Sequence, residues 1–184
     1  MAGMETAVHL LLLAQAGDPQ AHTELDRLQP RVCVAGQENQ IGSWHAGMAT
    51  LQAAALLGLR ERCASLYDCA VQLDRAGTHI VWDLGLAEKH AAIAAAAGGQ
   101  WDLAERHFDT ATARAEAIGD RLDGAELLRW RAQARLWRDA PGDRAEAAAL
   151  AGAARDAYSA IGMQRHVGLA EALSRACGNG TGSE

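Results

Sequence analysis

Lysine is almost missing from this chain of 184 residues: 16 of the 17 basic side chains are arginine, and Lys89 is the only lysine. Phenylalanine occurs once and tyrosine twice, and aromatics make up 4% of residues while 49% are hydrophobic. Alanine must therefore carry much of any core. Alanine-rich runs with few β-branched residues argue for helix and against any sheet. Positive charge is also in short supply. The net charge is −6; residues 1–118 hold 8 basic and 14 acidic groups, and residues 119–184 hold 9 of each. Neither part has the basic excess that phosphate binding requires, so direct nucleic-acid binding is not expected. Long apolar runs are absent too. Val8–Leu13 follows Glu5, has no basic segment before it and is too short to cross a bilayer. No membrane association is expected.

The motifs of catalysis are missing as well. The seven histidines are scattered; His90 with Glu88 and His107 with Glu105 fall on different helices, and no His-Glu-x-x-His occurs. Lys89 is preceded by Ala87-Glu88 and not by a glycine loop, so there is no phosphate cradle. Gly178-x-Gly180-x-Gly182 lies in a terminal stretch and not at a strand-to-helix turn, and Gly-x-Ser-x-Gly is absent. No set of side chains suits nucleophilic or acid–base catalysis. The expectation is a chain that is not an enzyme and takes no cofactor, metal or nucleotide. The four cysteines, Cys33, Cys63, Cys69 and Cys177, form no Cys-x-x-Cys, and Cys63 and Cys69 fall off a common helical face. Free thiols and a cytoplasmic location follow.

What is present is a repeat. Gly99–Gly119 shares its skeleton with Gly142–Gly162, and more loosely with Gly58–Gly77. The small-residue column Cys63, Ala104, Ala147 steps by 41 and then 43 residues. A fixed period of that size signals stacked units. Ala104, Phe108, Ala111 and Ala115 are spaced i, i+4, i+7, i+11, one face of a helix, while Glu105, Arg106, Asp109 and Arg114 fall off it. Gly119 supplies a left-handed stop and Asp120 a cap for the next helix. Each unit reads as helix A, a tight glycine turn and helix B.

In chain order, Glu5–Ala16 reads as a helix ended by Gly17, and Asp18-Pro19 as a cap followed by proline in the first turn of a second helix, which Pro30 closes. Residues 4–29 thus form a degenerate first pair. Residues 30–40 read as a linker. Repeats follow over 41–77, 78–119 and 120–162. Their helices are Ile41–Leu57 with Gly58–Ala76, Asp83–Ala97 (Thr78 as a candidate cap) with Trp101–Ile118, and Leu122–Arg138 with Arg144–Ile161. Asp143 and Glu146 have the spacing of a capping box. A lone helix over 163–177 caps the array, and 178–184 read as a disordered tail. A chain of this length can bury roughly 70% of its unfolded surface, so it needs no staple.

Gly99, Trp101, Ala104, Phe108 and Ala111 resemble the second half of a tetratricopeptide repeat. Pro141-Gly142-Asp143, Ala147, Ala154, Tyr158 and Ile161-Gly162-Met163 resemble the C-terminal helical arrays of bacterial LuxR-type and AfsR-type transcription regulators and of cyclase-linked ATPases. The chain departs from the repeat pattern at Glu88 and Ala95, where bulkier residues are expected, and its period exceeds the usual ~34 residues. The resemblance implies an all-α, right-handed α-solenoid of about four helical hairpins plus a C-terminal capping helix. It also implies a non-enzymatic interaction and regulatory module of a bacterial signalling or transcription-regulatory protein. Its partner would be a protein or peptide, or neighbouring domains of a larger regulator; a homodimer is a weaker expectation. The alternative is an effector-sensing domain with a small molecule in a tryptophan-lined concave groove.

The candidate groove comprises Trp44, Trp82, Lys89, Ile93, Trp130, Gln133 and Trp137, all placed on A helices. Trp130 and Trp137 share a face with Leu127 and Ala134, so core packing competes with the groove for them, whereas Trp44 and Trp82 open their helices with fewer apolar neighbours. Arg131, Arg135 and Arg138 form a basic stripe: either a solvated face paired with nearby acids or a docking strip for an acidic partner. The alignment itself is testable. Ala104→Leu should overpack a close helix crossing and lower stability by roughly 1–3 kcal/mol in thermal unfolding; an unchanged midpoint would mean the column is misaligned.

Overall fold

The computed structural model describes residues 4–178, so the tail expected over 178–184 lies outside the described residues except for Gly178, which ends the last helix. The elements in order are α1 (Met4–Ala16), α2 (Gln20–Leu28), α3 (Ile41–Leu56), α4 (Arg60–Ala64), α5 (Tyr67–Arg75), β1 (Ile80–Val81), β2 (Gly85–Leu86), α6 (Ala87–Ala97), α7 (Trp101–Ile118), α8 (Arg121–Arg138), α9 (Asp143–Ala160) and α10 (Gln164–Gly178). Among the described residues the chain is all-α apart from one short antiparallel hairpin, β1–β2, which pairs Ile80 with Leu86 and Val81 with Gly85. The expectation of no sheet is corrected at that hairpin. Two compact units divide the chain, Met1–His107 and Phe108–Glu184, and the division falls within α7.

Helix ends are set by one recurring device. At Gly99 (φ +75) the backbone enters the left-handed region, the Gly99 N–H donates to Ala96 O, and the Gln100 N–H donates to Ala95 O. These are the paired bonds of a Schellman stop, and a side chain there would be strained. The same pair of bonds recurs at Gly17, Gly58, Gly77, Gly119 and Gly162. Asp120 then accepts from the Leu122 and Asp123 N–H groups and caps α8. Asp18 accepts from the Gln20 N–H at the head of α2.

In the first unit the core is built on α3 and α6. His45–Ala55 of α3 and Ala87–Ala97 of α6 are buried all round, the mark of a helix enclosed by others. α3 packs against α1, α2, α4, α5 and α6. Close approach is explicit at Gly47, where a Cβ would meet Cys33 Sγ at 2.4 Å. The 30–40 segment, expected as a linker, is a pinned loop. Asn39 bonds both the N–H and the carbonyl of Val34, and the Gly36 N–H donates to Gln72 Oε1 (2.7 Å). All four cysteines are free and buried.

Several expected boundaries are corrected. The helix expected over Gly58–Ala76 is broken into α4 and α5 because Ser65 Oγ donates to Arg62 O and the Leu66 N–H turns back to Cys63 O. α6 begins at Ala87 and not at Asp83, because Gly85 (φ +83) interrupts the chain. Thr78 caps nothing; its N–H closes the stop at Gly77.

In the second unit α8, α9 and α10 pack together. One cluster joins Ala132, Ala147, Ala151 and Leu173, and another joins Ala125, Ala154, Tyr158 and Ala170. The stripe Phe108, Ala111, Ala115 of α7 is buried, as its spacing predicts. Glu126 is the hub of the polar interior. It accepts from Trp130 Nε1 (3.0 Å), Arg129 Nη2 (2.7 Å) and the Tyr158 hydroxyl. The expected capping box is not formed. Asp143 instead takes Arg138 on both oxygens and the Ala140 N–H on one, while Glu146 pairs with Arg135.

The Arg138 guanidinium holds the Asp143 carboxyl below the usual aspartate range. A lowered folded-state pKa gives stability that is present above the unfolded value of about 3.9 and is lost as pH falls through the folded value. Against Asp143→Asn, the parent should therefore hold a constant advantage in urea midpoint from pH 7 to 5 that shrinks below about pH 4. An advantage unchanged at pH 3 would contradict the pairing.

Candidate functional site

The β1–β2 hairpin is too short to stand alone, and α3 holds it. His45 and Gln52 lie two helical turns apart on α3. His45 Nε2 donates to Asp83 Oδ1 (2.8 Å), and Gln52 Nε2 donates to Leu84 O (3.2 Å). Immediately before these ties the backbone at Trp82 takes φ +29, a region that costs a non-glycine residue on the order of 1–3 kcal/mol. The cost is borne at a residue that is 69% exposed, and Ile80 at 50% and Ile41 at 66% share the same cavity with it. Beneath them lies a cavity of ≈ 240 Å³, walled by Ile41 and Trp44 at the head of α3, Leu73 near the end of α5, and Ile80 and Trp82 of the hairpin.

His45 also lines this cavity, and its side chain is 3% exposed. The neighbouring carboxylate can only accept, so the neutral ring carries its proton on Nε2 and leaves Nδ1 as an acceptor. Nδ1 is buried and has no hydrogen-bond partner among the described residues. The other buried ring contrasts with it. His90 donates from Nδ1 to Leu86 O (2.9 Å) and accepts at Nε2 from Gln52 (2.8 Å), so both nitrogens are satisfied.

The sequence-predicted residues scatter. Trp44 and Trp82 come together at the cavity, but Trp82 opens the short 3-10 turn of the hairpin (Trp82–Leu84) and does not sit on an α-helix. Lys89, Ile93 and Trp130 are corrected out of any groove, since all three are buried at 2% exposure or less. Alanines leave room for α6 to be enclosed completely, and Trp130 is turned inward by its bond to Glu126. Gln133 and Trp137 are half-buried on α8. The basic stripe is engaged: Arg131 bonds Asp109 (2.6 Å), Arg135 pairs with Glu146 (2.9 Å), and Arg138 pairs with Asp143.

Two further features carry less chemistry. His107 links Glu88 (2.8 Å, from Nδ1) to the Tyr67 hydroxyl (3.0 Å, at Nε2). Burial pushes the Tyr67 hydroxyl upward in pKa, the reverse of an activated nucleophile, so the chain of bonds ties helices together. A larger cavity of ≈ 480 Å³ in the second unit is walled by Ala125, Leu127, Leu128, Ala157 and Ile161, with Glu116, Asp120, Arg121 and Arg131 also on its lining. Among the described residues no three metal-ligating side chains gather, and no helix is long and apolar enough to cross a membrane.

Sequence reasoning missed His45 and Asp83. Each follows a tryptophan, Trp44-His45 and Trp82-Asp83, 38 residues apart and close to the repeat period. That recurrence was the available signal. A long-range proton–nitrogen spectrum of the protein with labelled histidine should place the His45 proton on Nε2 when the ring is neutral, and Asp83→Ala should mix the tautomers. A parent ring protonated on Nδ1 would contradict the tie.

No protein family, no curated protein and no solved structure is matched by this chain.

Proposed function

We propose that this chain is a non-enzymatic interaction and regulatory module, a right-handed solenoid of tetratricopeptide-like helix pairs, and that it captures a protein or peptide partner at the Trp82 hairpin. One observation carries the reading: an exposed tryptophan, 69% accessible, in a costly backbone conformation beside residues that side chains of α3 hold, at a mostly apolar cavity. Exposed aromatic anchors beside a pocket, ringed by further apolar groups, are the usual core of a protein interface. The tie to α3 lowers the ordering cost of binding. The repeat period and the resemblance to the helical arrays of bacterial regulators supply the regulatory context. A second reading, a free effector molecule in the same cavity, draws on the small volume of ≈ 240 Å³.

The test is selection of peptides from a displayed library on the parent chain, followed by binding to Trp82→Ala and Trp130→Ala. Trp82→Ala should fold normally and lose most of the selected binders. Trp130→Ala should lower stability by roughly 3–5 kcal/mol, because it empties a core position and leaves Glu126 short of a donor. Selected peptides that bind Trp82→Ala as well as the parent would sink the proposal.

A further inference from the structure

Resting on the interaction reading above, we infer that the segment captured at the Trp82 hairpin is cationic: one bulky apolar side chain enters the cavity, and an arginine beside it pairs with Asp83.

Size and walls fix the apolar half. A dry cavity of about 150 Å³ accepts benzene, so ≈ 240 Å³ takes one side chain and not a folded ligand. Ile41, Trp44, Leu73, Ile80 and Trp82 give it apolar walls, and a charged group would have to leave water to enter. A guest can reach it from outside, since Ile41, Ile80 and Trp82 are each half exposed or more.

Charge fixes the other half. Asp83 follows Trp82 in the chain and bonds His45, and both of these line the cavity. With the ring neutral, this pair carries a full negative charge, and half of the Asp83 side chain remains exposed to a partner. Two more carboxylates are neighbours of lining residues: Glu5 follows Met4, Glu38 precedes Asn39, and both are exposed. Nearby cations do not offset them. Arg75 is two residues from Leu73, so it leaves α5 on the opposite side, where its charge acts on the Tyr67 hydroxyl. His79 is paired with Asp74. Residues 1–118 as a whole hold 14 acidic groups against 8 basic ones. A cationic segment is drawn to such a surface and an acidic one is repelled. Among cations, the guanidinium is less strongly hydrated than an ammonium, and it can pair with a carboxylate while lying on an aromatic ring. Asp83 and the exposed Trp82 offer those two groups from adjacent residues.

The experiment uses the full chain and a library-selected peptide that depends on Trp82, made twice: once with its arginine and once with citrulline, the neutral isostere. The arginine form should bind roughly threefold to tenfold more tightly at low salt. That gap should close as salt rises from about 0.05 M to about 0.5 M, because an exposed pair is screened. Asp83→Asn keeps an oxygen for the His45 Nε2–H and removes the charge. It should shrink the gap severalfold while the histidine spectrum still shows the His45 proton on Nε2. Should that variant fail to fold, the two peptide forms compared across salt on the parent decide alone. Equal binding of the two forms to the parent at low salt, a gap that salt does not close, or a gap that folded Asp83→Asn leaves whole overturns the inference. Trp82-dependent peptides that lack arginine also overturn it. All of these leave the interaction reading standing. If no peptide depends on Trp82, the interaction reading falls, and this inference falls with it.

Discussion

Helices whose surfaces are mostly methyl groups can be buried only if their neighbours come very close, and this constraint governs the first unit. α3 and α6 are enclosed on every side. Alanine has little volume with which to fill gaps, so packing near crystal density requires short interhelical distances. Glycine supplies the rest, as at Gly47 against Cys33. Each helix must also stop within a residue or two to let the next one return, and the repeated left-handed glycine stops do this. Enclosure leaves no water for the polar side chains of these helices. They need partners inside the protein, and Gln52 and His90 satisfy one another together with two backbone carbonyls.

The second unit meets the same requirement with larger groups. Glu126, Arg129, Trp130 and Tyr158 bring charge and aromatic bulk into the interior; Arg129, Trp130 and Tyr158 each donate to the one carboxylate, and Arg129 Nε donates to the Tyr158 hydroxyl as well. Arg129 also lies over the Trp130 ring, 4.2 Å from its centre. A buried ion pair is poor evidence of net stability, yet removing one partner from such a set is strongly destabilising. The arrangement fixes the rotation of α8 and so decides which of its tryptophans faces inward.

Much of this could be read from residue order. The stops at Gly17, Gly58, Gly77, Gly119 and Gly162 are marked by glycine after an apolar stripe, and the buried face of α7 follows from the spacing of Ala104, Phe108 and Ala111. The hairpin could not be read. Ile80-Val81 and Gly85-Leu86 are two-residue runs, shorter than any window in which alternation can be counted, and the groups that hold them lie on α3. The site was half legible for the same reason. Trp44 and Trp82 stand out as aromatics at element starts, but the partnership of His45 with Asp83 is a tertiary fact spanning 38 residues. Lys89 and Ile93 misled because exposure was assigned by position in a helix pair, whereas α6 has no outward face.

The burial of Lys89 bears on more than the groove. It is the only lysine in the sequence and is 2% exposed. Chemistry that begins with attack by a lysine amine, whether acylation, conjugation to another protein or cross-linking by a reagent, finds no accessible lysine on the folded first unit. The same amine is uncovered when that unit opens. The chain therefore carries a single lysine as a covalent reporter of its own unfolding, placed in the first turn of a helix enclosed by its neighbours on every side.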